Sequence, residues 1–524
     1  MERPGSWAEA SIDQVSASLD YGTSAKTNIV PAGIPVLRMG NLVAGSIDAG
    51  DLRYLPASHG EFPKLLLRAG DLLFNRTNSP ELVGKTAVFS GTPSPCSFAS
   101  YLIRLRLAPQ VEPRYLAWLL NSVYGRRWVK KVVTQQVGQA NVNGSKLRAF
   151  RFPLAPWAEQ QRIVDEVEKQ FTRLDAAVAG LQRVKANLKR YRASVLKAAC
   201  EGRLVPTEAE LARREGRSFE SGEELLKRIL KERRARWEAE LLAKMTAARK
   251  VPSTDRWKTG YRDPVQPEDE GEAVPGGWAL STVATVGEVL LGRQRAPQYQ
   301  TGRWTRPYLR VANVKDDRLS LGDVETMDFD PVHFEKYRLI PGDILVSEGQ
   351  SPERVGESAV YRGGIDGLCF QKTLHRFRPV PGGPSSGFAQ IVFRTHVKTG
   401  VFMRLASITT NIAHLTLEKF EAAPFPLPPL AEQHRIVAEV ERRLSVVDEL
   451  EATVEKNLAR CARLRQSILK MAFEGRLVPQ DPNDEPASVL LERIRAGRET
   501  AVPDGGPSRR RAATQASRLR RRAR

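Results

Sequence analysis

The chain has 524 residues, 41% hydrophobic and 27% charged, a globular composition with apolar material for several cores. Lys and Arg total 81 against 60 Asp and Glu, and the formal charge of +21 points to a polyanionic partner, nucleic acid first. No run approaches the ~18 consecutive apolar residues of a membrane span, the N-terminus lacks the apolar core of a signal peptide, and four dispersed cysteines (Cys96, Cys200, Cys369, Cys461) exclude a zinc or disulfide framework and fit the cytoplasm.

Taken in chain order, Leu65–Phe74, Lys85–Phe89 and Ser100–Leu107 are short apolar runs bounded by Gly, Pro and Ser, and read as strands. Between the first two lies Ser79–Thr86, which approximates a phosphate-binding loop. It lacks the first glycine and puts Pro80 where flexible backbone should cradle phosphate, so it reads as a connecting loop. Pro113–Val133 reads as one helix, with Tyr115, Leu116, Leu119, Leu120 and Val123 on one side. After Pro156 a heptad-like series follows: Ile163, Val167, Leu174, Val178, Leu181, Val184, Leu188, Tyr191, Val195. Gly202 is its stop signal. Glu220–Ala248 then reads as a charged helix and Ser253–Gly277 as an extended linker. The pattern begins again with strands over Asp343–Ser347, Glu357–Tyr361 and Thr373–Pro379. A second series follows Pro429: Ile436, Val440, Leu444, Val447, Leu450, Val454, Leu458, Leu464, Ile468, closed by Gly475. Each series predicts a rod of ~65 Å at ~1.5 Å per residue.

The chain is in fact written twice. AEQQRIV at Ala158–Val164 returns as AEQHRIV at Ala431–Val437, and EGRLVP at Glu201–Pro206 returns at Glu474–Pro479, both displaced by 273 positions. Pro4-Gly5-Ser6-Trp7 matches Pro275-Gly276-Gly277-Trp278, Gly70-Asp71 matches Gly342-Asp343, and Leu225-Leu226 with Ile229 match Leu490-Leu491 with Ile494. The resulting division is a globular domain over 1–151, a helical spacer over 152–206, a charged connector over 207–274, a second domain over 275–424, a second spacer over 425–502 and an Arg-rich tail over 503–524. The expected fold class is α+β or mixed: two α/β domains joined by two long antiparallel coiled-coil helices with pseudo-two-fold internal symmetry. The tail, with eight arginines and no apolar periodicity, reads as a disordered arm.

Candidate DNA-contacting residues lie in polar segments beside the strands. Asn75, Arg76 and Asn78 follow the first, and their counterparts are Glu348 and Gln350, with Arg354 nearby. Gln135, Gln136, Gln139 and Asn141 form a second polar loop, matched by Thr410 and Asn411. Lys130 and Lys131 are phosphate candidates. The competing reading is that these are solvated turns. At the start of the rods, Glu159, Gln160 and Arg162 repeat as Glu432, Gln433 and Arg435. They fit either partner docking or, for the acids, stabilisation of a helix N-terminus. No Asn/Asp-Pro-Pro-Tyr/Phe tetrad occurs, no glycine-rich dinucleotide fingerprint occurs, and six histidines are scattered without metal-ligand spacing. The expectation is therefore no catalytic and no metal site in this chain.

The combination of two variable domains, each ending in Pro-Leu-x-Pro-x-Ala-Glu-Gln-x-Arg-Ile-Val and closing with Glu-Gly-Arg-Leu-Val-Pro, resembles the specificity subunit of type I restriction–modification systems. The resemblance implies that each domain is a target-recognition domain reading one half of a bipartite sequence in double-stranded DNA. It further implies that the helices dock two methyltransferase subunits, which bind S-adenosylmethionine and methylate adenine, that separate motor–nuclease subunits cut, and that this chain holds no cofactor of its own. The alternative is a stand-alone bipartite DNA-binding scaffold or repressor without methyltransferase partners. Two features depart from the family pattern: the connector after Pro206 is longer and more charged than its partner after Pro479, and the Arg-rich tail is an addition.

Overall fold

Both heptad series form single helices of 44 residues, Trp157–Cys200 and Leu430–Phe473. Their stops are as expected, since Gly202 and Gly475 take φ of +63° and +69°, the left-handed region that a Cβ disfavours. The seam is thinner than the spacing suggests. Val184, Tyr191, Leu450 and Leu464, all expected in it, are exposed. The well-buried positions Ile163 and Val167, and likewise Ile436, Val440 and Leu444, face a globular core rather than a helix alone.

The computed structural model describes residues 4–43, 45–136, 139–249, 252, 254–267, 274–409 and 411–501, so the Arg-rich tail lies outside the described residues. The chain divides into two compact units. Unit 1 is drawn from Met1–Gln182 and Glu455–Arg524, and unit 2 from Arg183–Val454. Each unit combines one globular domain with the beginning of one long helix and the end of the other.

In unit 1 a four-stranded antiparallel sheet runs in the order Ser16–Tyr21, Leu102–Leu107, Leu72–Asn75, Thr86–Val88. A second sheet places Ile34–Leu37 between the parallel Ser97–Phe98 and the antiparallel Arg53–Leu55. Ala8–Ser11 pairs with Arg151–Leu154, which returns the chain to the start of the long helix. The strand expected over Leu65–Phe74 begins only at Leu72. Leu65 and Leu67 are instead buried loop residues, with the Leu65 carbonyl accepting from Ser97 Oγ at 3.0 Å. The single helix expected over Pro113–Val133 is two, Pro113–Asn121 and Val123–Val132. Ser122 breaks it, its Oγ accepting from the N–H groups of Tyr124 and Gly125 and so capping the second helix. Within this unit the segments of the two long helices pair side by side, with Arg465 bonded to Asp175 and its guanidinium 4.1 Å over the Phe171 ring.

Unit 2 repeats this topology. Its four-stranded sheet runs Gly287–Leu291, Leu374–Pro379, Ile344–Ser347, Ser358–Val360, and its second sheet places Thr305–Leu309 between Cys369–Phe370 and Glu325–Asp328. Ala279–Thr282 pairs with Pro424–Leu427. The counterparts of the two helices that Ser122 separates are Ser386–Thr399 and Val401–Leu405, divided at Gly400. Arg192 bonds Asp448 at 2.5 Å and Glu451 at 3.0 Å between its long-helix segments. The charged helix of the connector spans Gly222–Ala247, and part of the expected linker is a 3-10 helix, Asp255–Gly260, because Trp257 and Tyr261 fold back onto Trp237.

Buried polar residues shared by the two copies hold the same turns. Asn41 Oδ1 accepts from Arg38 N at 2.7 Å, and Asn313 Oδ1 from Arg310 N at 2.9 Å. Asp71 bonds Arg106 at 2.8 Å and Asp343 bonds Arg378 at 2.6 Å. Much of the repeated sequence thus specifies backbone geometry.

Candidate nucleic-acid interface

The two polar segments of the first domain meet in a three-stranded sheet. The hairpin Thr134–Gln136/Gln139–Asn141 lays its second strand against Thr77–Asn78. Asn141 Nδ2 donates to Thr77 Oγ1 at 2.8 Å, and the Arg76 carbonyl accepts from Val142 N at 2.9 Å. Arg76 is half-buried, its guanidinium 4.9 Å over the Tyr21 ring and 3.3 Å from the Ser100 carbonyl. Gln139 is exposed, and Asn78 is half-buried with its Oδ1 on Ser79 N. Gln135 and Gln136 lie in the hairpin, and their side chains are outside the described residues. Tyr21, whose ring meets Arg76, and Tyr101, whose carbonyl does, are both exposed aromatics and escape a reading based on polar runs because each sits alone in or beside a strand.

One expected DNA contact is removed. Asn75 is fully buried, its side chain directed at the Leu82 carbonyl and its backbone exchanging hydrogen bonds with Lys85 and Gly84, so it shapes the loop rather than a surface. Lys130 and Lys131 are exposed in the last turn of Val123–Val132. Their neighbour Arg126 is not free, since it donates to the carbonyls of Val83 and Glu81 and braces the Ser79–Gly84 turn.

Unit 2 builds the equivalent sheet from Gly349–Gln350, Ile412–His414 and Ser407–Thr409. Glu348 occupies the position of Arg76, and its Oε1 lies 3.2 Å from His414 Nδ1. Gly349 makes room for that imidazole, because a Cβ there would meet His414 Nδ1 at 3.2 Å. Gln350 is half-buried and accepts from Ser351 N at 3.3 Å. Arg354 is engaged, holding Glu357 through two bonds of 2.9 and 2.7 Å. Asn411 is exposed at the hairpin turn, and Thr410 lies outside the described residues.

The candidate docking residues of the long helices are corrected by burial. Glu159 and Gln160 are 1% and 0% exposed, and Glu432 and Gln433 are both 0% exposed. Glu159 accepts from Trp7 Nε1 at 2.9 Å and Gln480 Nε2 at 2.5 Å, while Glu432 accepts from Trp278 Nε1 at 2.9 Å and Glu208 N at 2.8 Å. Burial pushes both carboxyls above the usual carboxylate range, against the lowering effect of those donors. Gln160 accepts from Glu112 N and Gln433 from Ser385 N, tying the long helices to the N-caps of Pro113–Asn121 and Ser386–Thr399 respectively. Arg162 and Arg435 are half-buried and close ion pairs with Asp484 and Glu208. The third repeated motif arrives at the same place. A Cβ on Gly475 would meet Pro4 Cγ at 2.4 Å, and one on Gly202 would meet Pro275 Cγ at 2.5 Å. The three motifs common to both halves therefore form an internal junction within each unit.

Among the described residues no three His, Cys, Asp or Glu side chains come together as a metal-binding group, and no helix is long and apolar enough to cross a membrane.

Residues 275–460 match the type I restriction modification DNA specificity domain. The chain is 25% identical over 522 residues to the type I restriction enzyme StySPI specificity subunit of Salmonella potsdam, covering 96% of this chain and 97% of that one. It is 23% identical to the EcoKI specificity subunit of Escherichia coli K12, covering 94% and 96%. A chain from a solved structure concerned with complex assembly and conformational transition of the type I R-M system aligns over 91% of this chain and 100% of its own, at a TM-score of 0.59 and 19% identity, a likeness of fold. Along almost its whole length the chain is similar to specificity subunits of type I restriction–modification systems.

Proposed function

We propose that this chain reads a two-part sequence in double-stranded DNA, one part by each unit, and delivers partner subunits to it. The observation that carries the reading is one backbone presented twice with different side chains: the Arg76, Thr77, Asn141 surface and the Glu348, Gly349, His414 surface occupy matching strand positions. Two dissimilar readers require an asymmetric target. The two long helices serve as an antiparallel coiled-coil link between the readers. Two methyltransferase subunits carrying S-adenosylmethionine methylate adenine in the chosen site, motor–nuclease subunits cut unmodified DNA, and this chain contributes recognition without catalysis, in the cytoplasm. Similarity to specificity subunits along almost the whole chain supports this division of labour.

Sequencing of methylated adenines in the host, with and without this gene, tests the reading. The expected result is a bipartite, asymmetric motif that disappears on deletion. Unchanged methylation after deletion, together with no methyltransferase recovered on affinity purification of the chain, would favour a stand-alone DNA-binding scaffold.

A further inference from the structure

The two readers carry opposite chemistry at one backbone position. Arg76 N donates to Tyr101 O at 2.9 Å and its carbonyl accepts from Val142 N at 2.9 Å; Glu348 N donates to Thr373 O at 3.0 Å and its carbonyl accepts from Leu415 N at 2.8 Å. Each residue directly follows the matching strand, Leu72–Asn75 or Ile344–Ser347. The surroundings change with the charge. Tyr21, which pairs with Ile103, supplies a ring face beneath the Arg76 guanidinium, and the matching register position, paired with His375, is Leu291. A ring face attracts a cation and not a carboxylate. Glu348 instead has the His414 imidazole at 3.2 Å, admitted by Gly349.

This reversal separates two roles. A position facing phosphate in one reader faces phosphate in the other if the scaffolds dock alike, and a carboxylate there is repelled. A position facing base edges accepts either sign, because bases present both donors and acceptors in the major groove. Arg76 can only donate and an ionised Glu348 can only accept. Stacking on Tyr21 and the bond to Ser100 O hold the guanidinium plane in place, so little side-chain freedom is left to lose on binding.

We propose that Arg76 reads guanine, through O6 and N7, in the half-site bound by unit 1, and that Glu348 reads an exocyclic amine, cytosine N4 or adenine N6, in the half-site bound by unit 2. The inference rests on the two-part reading proposed above.

Selection of duplexes from a randomised DNA library by the full-length chain, wild type and variant, tests it. The wild type selects a guanine in one half and a cytosine or adenine at one position of the other, the recovered motif telling which. Arg76→Gln lowers discrimination at that guanine alone by about ten- to hundred-fold, and Glu348→Gln does the same at the amine-bearing base alone. The untouched half-site in each variant reports that the chain is folded. Uniformly weaker binding with an unchanged motif would assign these residues to phosphate or to scaffold and overturn the proposal. Loss of every base of the first half-site in both Arg76→Gln and Arg76→Lys would assign Arg76 to the fold, and equally overturn it. A wild-type chain that selects no sequence would instead sink the two-part reading itself.

Discussion

Trp278 and Glu432 illustrate how a repeated polar residue can be structural. The indole N–H and the Glu208 N–H are the donors that make a fully buried carboxyl tolerable. Trp278→Phe removes one donor and leaves the oxygen desolvated, so unfolding free energy should fall by about 1–3 kcal/mol while the selected DNA bases stay the same. A urea titration beside library selection checks both; an unchanged midpoint would show that the carboxyl is held by other groups. His396 sets a pH limit on the same unit. Burial pushes the imidazole down to about 4 from an ordinary 6.5, against the raising effect of its bond to the Pro424 carbonyl, 2.7 Å from Nε2. The depressed value means that stability is complete above pH 6.5 and is lost as pH falls from 6.5 towards 4. The loss at pH 5 should be about 2 kcal/mol, and burial of His375 acts in the same direction. His396→Gln, which can keep the bond to the carbonyl, should flatten that dependence; an equally steep decline in the variant would assign it to other groups.

Among elements, the junction beneath each domain is tightly constrained. Gly475 is in the left-handed region with Pro4 Cγ 2.4 Å from where its Cβ would stand, whereas Gly216, with φ of +64°, has nothing within 4 Å. Gly216→Ala should therefore cost about 1 kcal/mol, the backbone penalty alone. Gly475→Ala should cost about 2–4 kcal/mol, since overpacking is added. Equal losses in thermal melts of the two variants would remove the contact with Pro4 from the account. The same scale explains where local pattern and structure part. The 3–4 apolar spacing locates both long helices but not which turns they bury, so Val184 and Leu450 fit the seam by spacing and are nonetheless exposed. Ser122 interrupts a helix whose apolar spacing runs straight through it, because its hydroxyl offers the next turn a better partner than the continuing backbone.

At the scale of the molecule, modularity follows from the repeat. Replacing residues 1–150 with the corresponding domain of a relative should change one half of the selected target and leave the other intact. A change in both halves would show that the domains do not read independently. The Arg-rich tail, outside the described residues, belongs to this scale through charge alone: eight arginines and one aspartate follow Val502. Truncation there should weaken non-specific binding, lowering the log–log salt slope by about 0.9 for each phosphate that is no longer neutralised, without altering the selected bases. A changed motif would assign the tail to recognition.

The sequence by itself determined the duplication, the place of both long helices, their glycine stops and the polar segments beside the strands, because periodicity and punctuation are properties of neighbouring residues. Only the tertiary structure decided what those residues do. Thr77 and Asn141, 64 positions apart, become strand partners. Asn75, one residue before Arg76, faces inward and is fully buried. Glu159 and Glu432, which open their helices as surface acids would, are enclosed by Trp7 and Trp278 from the opposite end of each domain's sequence. Burial arises from contacts between segments distant in the chain, and no local pattern of side chains encodes which of two polar neighbours will meet water and which will meet the core.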